Sequence, residues 1–359
     1  VENYRAHEPP SEARQRLIRL ARASGRVDVS RIPASDRAAA EKYFDDNLLT
    51  LSPGVLANMI LMQPTVHLRE TGGLNTGFVA TYEANPIMNL YFMRDQMITT
   101  AKGIVLGKMS SEQRAPETEV VKLALSNLGP HGIKPILEVS GDGRLEGGDF
   151  IPAGDTAFIG EGLRTNAAAI RQMLDAQVFG SRWVVVVKEK WHNQEQMHLD
   201  TYFNIADKNL AMLVQSRVDA AGRQSGDKLL KCDVYELKDG KYQPIGTDLD
   251  FVSYLKQKGF QIVPVPDEDQ KRYGVNFLTT APRTIAAVAG QSPEYQRRLE
   301  KAGVKVSWMD FSNLRRGYGA AHCMTQVFRR CATPPVNDTQ DDDAAPAPTP
   351  PAGHSDQLQ

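Results

Sequence analysis

The sequence has no apolar run approaching the roughly 20 residues that a membrane-spanning helix requires. Its first residues, Val1, Glu2, Asn3, Tyr4 and Arg5, also lack the charged-then-apolar order of a secretory signal. Membrane insertion is therefore not expected, and the cytoplasm is the default compartment. Charge of one sign is missing too: 42 Lys and Arg stand against 43 Asp and Glu. There is no global basic field of the kind that draws a protein onto nucleic acid or anionic lipid. A small molecule or a protein is the expected partner, and homo-oligomerisation is left open. Cysteine is scarce. Cys232, Cys323 and Cys331 form no C-x-x-C pair and are too few for a disulfide framework, so at least one is expected as a free thiol. Close ligand pairs such as H-E-x-x-H are absent as well. A zinc site built from His198, Cys323 and a carboxylate is therefore set aside, and neither a metal nor an organic cofactor is expected. The chain opens on Val1 rather than Met, which reads as a product processed or clipped from a longer one.

What is present is a 359-residue chain with 41% apolar and 24% charged residues, enough for a sizeable core in one large or two ordinary domains. Residues 1–75 read as a helical region: Ser11 precedes an amphipathic run to Ala23, residues 36–48 give another, and Ser52-Pro53 caps a third ending near Met62. From about residue 90 the pattern changes to short β-rich runs punctuated by glycine, in cycles that start near 90, 146, 198 and 275. Each cycle reads strand, turn, strand, helix, strand. In the first, residues 89–93 are the opening strand; the third carries an extra hairpin over residues 231–244; residues 323–328 begin a fifth. Repeated strand pairs disfavour a doubly wound sheet, which alternates single strands with helices. The expected fold is an α/β propeller of ββαβ units, pseudo-fivefold and incomplete at its N-terminus, over residues 76–330. Residues 331–359, rich in Asp, Pro, Ala and Thr, read as a disordered tail.

The polar residues fall where these cycles open. Asp95 ends NLYFMRD (89–95), Glu146 opens the second cycle in LEGGDFIP (145–152), His198 and Asp200 open the third in MHLDTYF (197–203), and Cys323 stands in GYGAAHCM (317–324). On a strand, His198 and Asp200 would face one side and Leu199 the other. A thiol, an imidazole and three carboxylates fit attack on a guanidinium carbon. Asp95 and Asp200 can bind the nitrogens of that planar cation through charge-assisted hydrogen bonds. The thiolate is the nucleophile, its ionisation favoured by the nearby substrate charge. His198 can give a proton to departing ammonia and take one from water, and Glu146 can orient it. Singly, each residue has an ordinary reading, Cys323 as packing, His198 as a core histidine and Glu146-Gly147-Gly148 as a tight turn; it is their order along the chain that favours chemistry. Cys232, Cys331 and His192 read as bystanders. Gly317-Tyr318-Gly319 does not open a helix after a strand, so it is not read as a phosphate loop.

These four blocks, in this order and spacing over residues 75–330, resemble the signature segments of arginine deiminases, within the guanidine-modifying superfamily. The resemblance implies a covalent amidino-type adduct on Cys323, acid/base work by His198 partnered by Glu146, and guanidinium clamping by Asp95 and Asp200. It further implies that Arg114 and Arg164 bind the substrate carboxylate and that Asn89 lies near the amino-acid end. Where the family has an arginine near the cysteine loop this chain has Tyr318, with Arg316 two residues earlier as the alternative substrate contact. Gln96-Met97 after Asp95 also departs from the common pattern, which implies a divergent branch. The family's opening module is not recognisable before residue 70, so either the chain is truncated or the leading helices replace that module. The expected reaction is hydrolysis of L-arginine to L-citrulline and ammonia. The alternatives are an arginine dihydrolase, an amidinotransferase, a deiminase of peptide-borne arginine, and a non-catalytic arginine-binding homologue.

Overall fold

The computed structural model describes residues 11–72, 77–128, 132–219 and 229–330. The tail expected over 331–359 and Cys331 lie outside the described residues. The leading region carries the three expected helices, Glu12–Ser24, Ala34–Leu48 and Pro53–Met62. The Ser11 hydroxyl accepts from Arg14 N–H and the Ser52 hydroxyl from Val55 N–H, each relieving one unpaired donor of a first turn. Strands also run through this region, which the helical reading did not contain. β1 (Arg26–Arg31) pairs in parallel with β2 (Pro64–Glu70), and β2 pairs antiparallel with β3 (Phe78–Ala84). Their partial burial, with charged residues such as Asp28, Arg31 and Arg69, conceals the alternation that marks a strand.

Four further units repeat one plan, in which two antiparallel strands are followed by a helix and then a third strand parallel to the second. The first is β4 (Met97–Thr99), β5 (Ile104–Leu106), helix Ala115–Ser126 and β6 (Leu137–Glu138). The second is β7 (Phe150–Ala153), β8 (Thr156–Glu161), helix Ala167–Asp175 and β9 (Trp183–Lys188). The third comprises β10 (Phe203–Asp207), β11 (Leu210–Val214), the inserted hairpin β12 (Lys231–Lys238) and β13 (Lys241–Asp250), helix Phe251–Gln257 and β14 (Gln261–Val265). The hairpin leaves its own sheet and extends the second unit's, β12 pairing with β9. The fourth is β15 (Leu278–Ala281), β16 (Thr284–Val288), helix Pro293–Lys301 and β17 (Lys305–Met309). The fold is thus mixed α/β, with strand pairs and a crossover helix repeated as the sequence pattern predicts.

Middle strands such as Leu210–Val214 are buried along their whole length, as strands covered on both faces must be. Phe158, Phe203 and Phe251 meet at ring separations of 5.1–6.1 Å where the second and third units join.

Three expected strands are corrected. Residues 89–93 form turns, because Phe92 N–H donates to Asn89 C=O and Arg94 N–H to Cys323 C=O instead of to a ladder. Residues 323–328 do not form a strand, since Met324 N–H and Thr325 N–H turn back onto Ala320 and His322 carbonyls. His198 and Asp200 are not on a strand either: residues Leu199–Thr201 form a 3₁₀ turn that leads into β10.

Phe158 is fully buried at the junction of two units. Phe158→Ala should therefore lower the urea-derived unfolding free energy by about 3–5 kcal/mol; a loss below about 1 kcal/mol would contradict the packing described.

Candidate active site

Glu146 and His198 occupy equivalent places. Each has extended backbone, each precedes a 3₁₀ turn (Gly147–Asp149 and Leu199–Thr201), and each turn leads into the first strand of a unit. Asp95 stands two residues before β4. The Gly147-Gly148 pair permits close approach: a Cβ at Gly147 would fall on the Arg94 carbonyl, and one at Gly148 would lie 2.7 Å from His198 Nδ1. Asp149 locks the two turns together, its Oδ1 accepting from Leu199 N–H at 2.8 Å. Burial holds the Asp149 carboxyl up at about 7.

At the centre, His198 Nε2 lies 2.7 Å from Glu146 Oε2 and His198 Nδ1 lies 3.8 Å from Asp95 Oδ1. Burial disfavours an imidazolium here, but Asp95, Glu146 and Asp149 outweigh it and raise His198 above its ordinary range. Burial would raise Glu146, and its bond to His198 overcomes that and lowers it. The pair is therefore an imidazolium–carboxylate. The other oxygen, Glu146 Oε1, accepts from both Ser110 N–H and Ser110 O–H at 2.9 Å.

Cys323 is 4% exposed and its sulfur lies 3.7 Å from Asp200 Oδ2 and 3.2 Å from Asn276 Nδ2. Burial, then Asp200 and Asp95, push the thiol well above its usual range. Asp200 Oδ2 also receives His322 Nδ1 at 2.7 Å. Burial and Arg94 lower His322, so the neutral ring donates and Asp200 stays ionised, its carboxyl lowered against the effect of burial. One oxygen of each clamp, Asp95 Oδ1 and Asp200 Oδ1, is buried with no hydrogen-bond partner.

Arg114 is placed differently from a ready carboxylate receptor. Its Nη1 donates to Asp95 Oδ2 at 2.8 Å, while Nε and Nη2 both engage Glu117 at 2.9 Å. Arg164 lies 4.0 Å from Glu146 Oε1 and 3.3 Å from Ser110 Oγ, with its Nε unpaired. Asn89 is half-buried and Arg316 exposed, and among the described residues no side-chain hydrogen bond or ion pair joins either to the cluster. Sequence reasoning missed Asn276, which belongs to no motif, and His322, whose position beside Cys323 was the available signal. It also missed Glu117 and Gln96, whose amide donates to Glu117 at 2.6 Å.

Ligand atoms of Asp95, Glu146 and His198 lie within 4.8 Å of one another, a spacing that a metal ion could use. Two of their oxygens already face cations, Arg114 on Asp95 and His198 on Glu146, so a dication entering there would meet positive charge.

A mixed α/β protein that gathers a thiol, an imidazole and carboxylates from four separated segments into one buried cluster has the layout of a nucleophilic cysteine enzyme. Comparison with known proteins is specific about which. The arginine deiminase family profile matches residues 10–330, and the chain belongs to that family. Arginine deiminase of Halobacterium salinarum is 28% identical over 327 aligned positions, covering 68% of this chain and 65% of the relative. That of Lactococcus lactis subsp. lactis is 28% identical over 265 positions, covering 68% and 62%. The chain thus spans less than two thirds of the length of these curated relatives. The N-terminal domain of ArgZ, an arginine dihydrolase from cyanobacteria solved with bound product, superposes with a TM-score of 0.50 at 16% identity over 68% of this chain and 77% of that one. This likeness is one of fold.

The His198–Glu146 pair fixes a pH dependence. The raised His198 contributes stability that is complete below its ordinary 6.5 and is lost as pH rises through its folded value. The lowered Glu146 contributes stability that is complete above its ordinary 4.5 and is lost as pH falls through its folded value. Glu146→Gln should therefore destabilise most between these two ordinary values, by about 3 kcal/mol in urea titrations, and progressively less toward pH 10. A difference that stays constant from pH 5 to pH 10 would contradict the ion pair.

Proposed function

We propose that this protein hydrolyses the guanidinium group of free L-arginine, giving L-citrulline and ammonia through a covalent adduct on Cys323. The observation that carries this reading is that Asp95 and Asp200, carboxylates beside an imidazolium and a thiol, each keep one buried oxygen, Oδ1, with no hydrogen-bond partner. Buried carboxylate oxygens without donors cost free energy, and a planar cation with five N–H donors is a ligand that meets that need. Family membership and the arginine deiminase activity of the curated relatives support the same substrate class. In this reading the five sheets, counting β1–β3, surround one axis as the blades of a propeller, with the turns that carry Asp95, Glu146 and His198 at its centre.

The sequence of steps follows from the charges. In the empty site, burial and two carboxylates hold Cys323 as a thiol. The arriving guanidinium compensates those carboxylates, and the thiol releases its proton to solvent. Sulfur then bonds to the guanidinium carbon. One carbon–nitrogen bond breaks, and the imidazolium of His198 gives its proton to the departing ammonia. The neutral imidazole next removes a proton from water as the hydroxide adds to the same carbon. Finally the carbon–sulfur bond breaks with its electron pair going to sulfur, the hydroxyl proton passes to the departing sulfur, and citrulline leaves. Glu146 holds the imidazole throughout. Arg164, whose Nε is unpaired, is the arginine poised for the substrate carboxylate; Arg114 can join it only by releasing Asp95 or Glu117.

Incubation with L-arginine should yield equimolar citrulline and ammonia, and Cys323→Ala and His198→Ala should each lower turnover at least about a hundredfold. Near-normal turnover in either variant contradicts the assignment, ornithine as product would indicate a dihydrolase, and a strict need for glycine or lysine would indicate amidino transfer. Activity is expected to survive EDTA; loss that is restored by added metal would instead make Asp95, Glu146 and His198 a metal site.

A further inference from the structure

Asn276 lies just before β15, in a segment with no catalytic signature, and is fully buried. Its amide is engaged on two sides of the nucleophile. Oδ1 accepts from Cys323 N–H at 3.3 Å, while Nδ2 lies 3.2 Å from Cys323 Sγ and 3.3 Å from the Asp200 carbonyl. Its backbone carbonyl accepts from His322 N–H at 3.3 Å. One residue therefore ties the cysteine turn to the turn that carries Asp200, and it aims a donor at sulfur. The other groups that face the sulfur do not share that role. Asp95 and Asp200 oppose negative charge there, and Tyr273 is itself raised by burial and by Cys323. Arg94 is cationic but directs its Nε to the His322 carbonyl and its Nη2 to Thr325 Oγ1. His322 is turned to Asp200.

We propose that Asn276 is a catalytic residue, whose amide N–H holds Cys323 Sγ in place and stabilises its thiolate both before attack and when the carbon–sulfur bond breaks. A hydrogen bond made to the charged form favours that form, and bonds to ionised groups are the strong ones. The acceptor half of the same amide fixes the Cys323 backbone, so orientation and charge stabilisation come from one side chain. The proposal rests on Cys323 being the nucleophile, as above, and does not depend on which guanidino compound is the substrate.

The test uses the full chain without substrate. Alkylation of Cys323 by iodoacetamide is followed across pH by peptide mass spectrometry, which separates it from Cys232 and Cys331, in the wild type, Asn276→Ala and Asn276→Asp. Asn276→Asp keeps the size and the acceptor for Cys323 N–H but replaces the donor with a carboxylate, so it carries the test even where Asn276→Ala does not fold. At a pH below the thiol titration, alkylation should slow about tenfold or more in Asn276→Ala and further in Asn276→Asp, with the titration displaced to higher pH. With L-arginine, kcat should fall about 10- to 100-fold while KM changes less than about threefold, and the loss should narrow as pH rises. A variant that folds, as judged by circular dichroism, and alkylates within about twofold of wild type at every pH overturns the proposal. Failure of the arginine reading is distinguishable, because it would leave the wild type without citrulline while the alkylation difference persisted.

Discussion

The His198 imidazole stands between Glu146 and Asp95, 2.7 Å and 3.8 Å away, and interacts electrostatically with Asp149 and Asp200. All four carboxylates are 3% exposed or less. Such a concentration of buried negative charge is tolerable only where cations and donors answer it, since an unpaired buried ion costs several kcal/mol. The protein supplies a partial answer. Arg114 takes one oxygen of Asp95, His322 one of Asp200, the Leu199 N–H one of Asp149, and Ser110 with His198 both of Glu146. Asp95 Oδ1, Asp149 Oδ2 and Asp200 Oδ1 are left buried with no hydrogen-bond partner. In the proposed function a planar cation supplies the missing charge and donors, and the same incompleteness keeps the thiol protonated until that cation arrives.

The turns that build this cluster repeat because the units repeat. Glu146 and His198 each precede a 3₁₀ turn and then an opening strand, so two distant stretches of sequence deliver a carboxylate and an imidazole in matching orientation. The middle strands, buried through their centres, fix the base from which the turns project. Cys323 reaches the cluster differently. Its turn is anchored from below by Arg94, which donates to the His322 carbonyl and to Thr325 Oγ1, and by the Gln326 amide, which donates to the carbonyls of Met93, Arg94 and Met97. The NLYFMRD segment that ends in Asp95 thus also holds the turn of Cys323.

Much of this was legible in the residues. The repeated pattern of strand pair, helix and strand could be read because apolar runs such as Trp183–Lys188 and Leu210–Val214 are bounded by turn residues. Helix starts could be read from Ser11 and Ser52, whose side chains do cap. The segments around Asp95, His198 and Cys323 read as strands because they are short and rich in apolar residues, while their N–H groups bond locally or to each other rather than along a ladder. Strands β1 and β2 escaped because flanking charges mask their pattern. Within the site, Asp95, Glu146, His198, Asp200 and Cys323 stood in recognisable blocks, whereas Asn276 did not: an asparagine before an apolar strand has no local signature, and its partners lie 76 and 47 residues away. The engagement of Arg114 by Glu117 is a property of the folded helix start that sequence spacing alone does not reveal.

The central claim is that Cys323 sulfur bonds to a guanidinium carbon held by Asp95 and Asp200. It is tested most directly by acid-quenching the protein within its first turnovers on L-arginine and mapping the modification by peptide mass spectrometry. The account predicts a transient amidino adduct on the peptide containing Cys323, absent when Asp95 and Asp200 are both changed to asparagine. An adduct on Cys232, or citrulline formed at full rate with no adduct on Cys323 at any quench time, would contradict it.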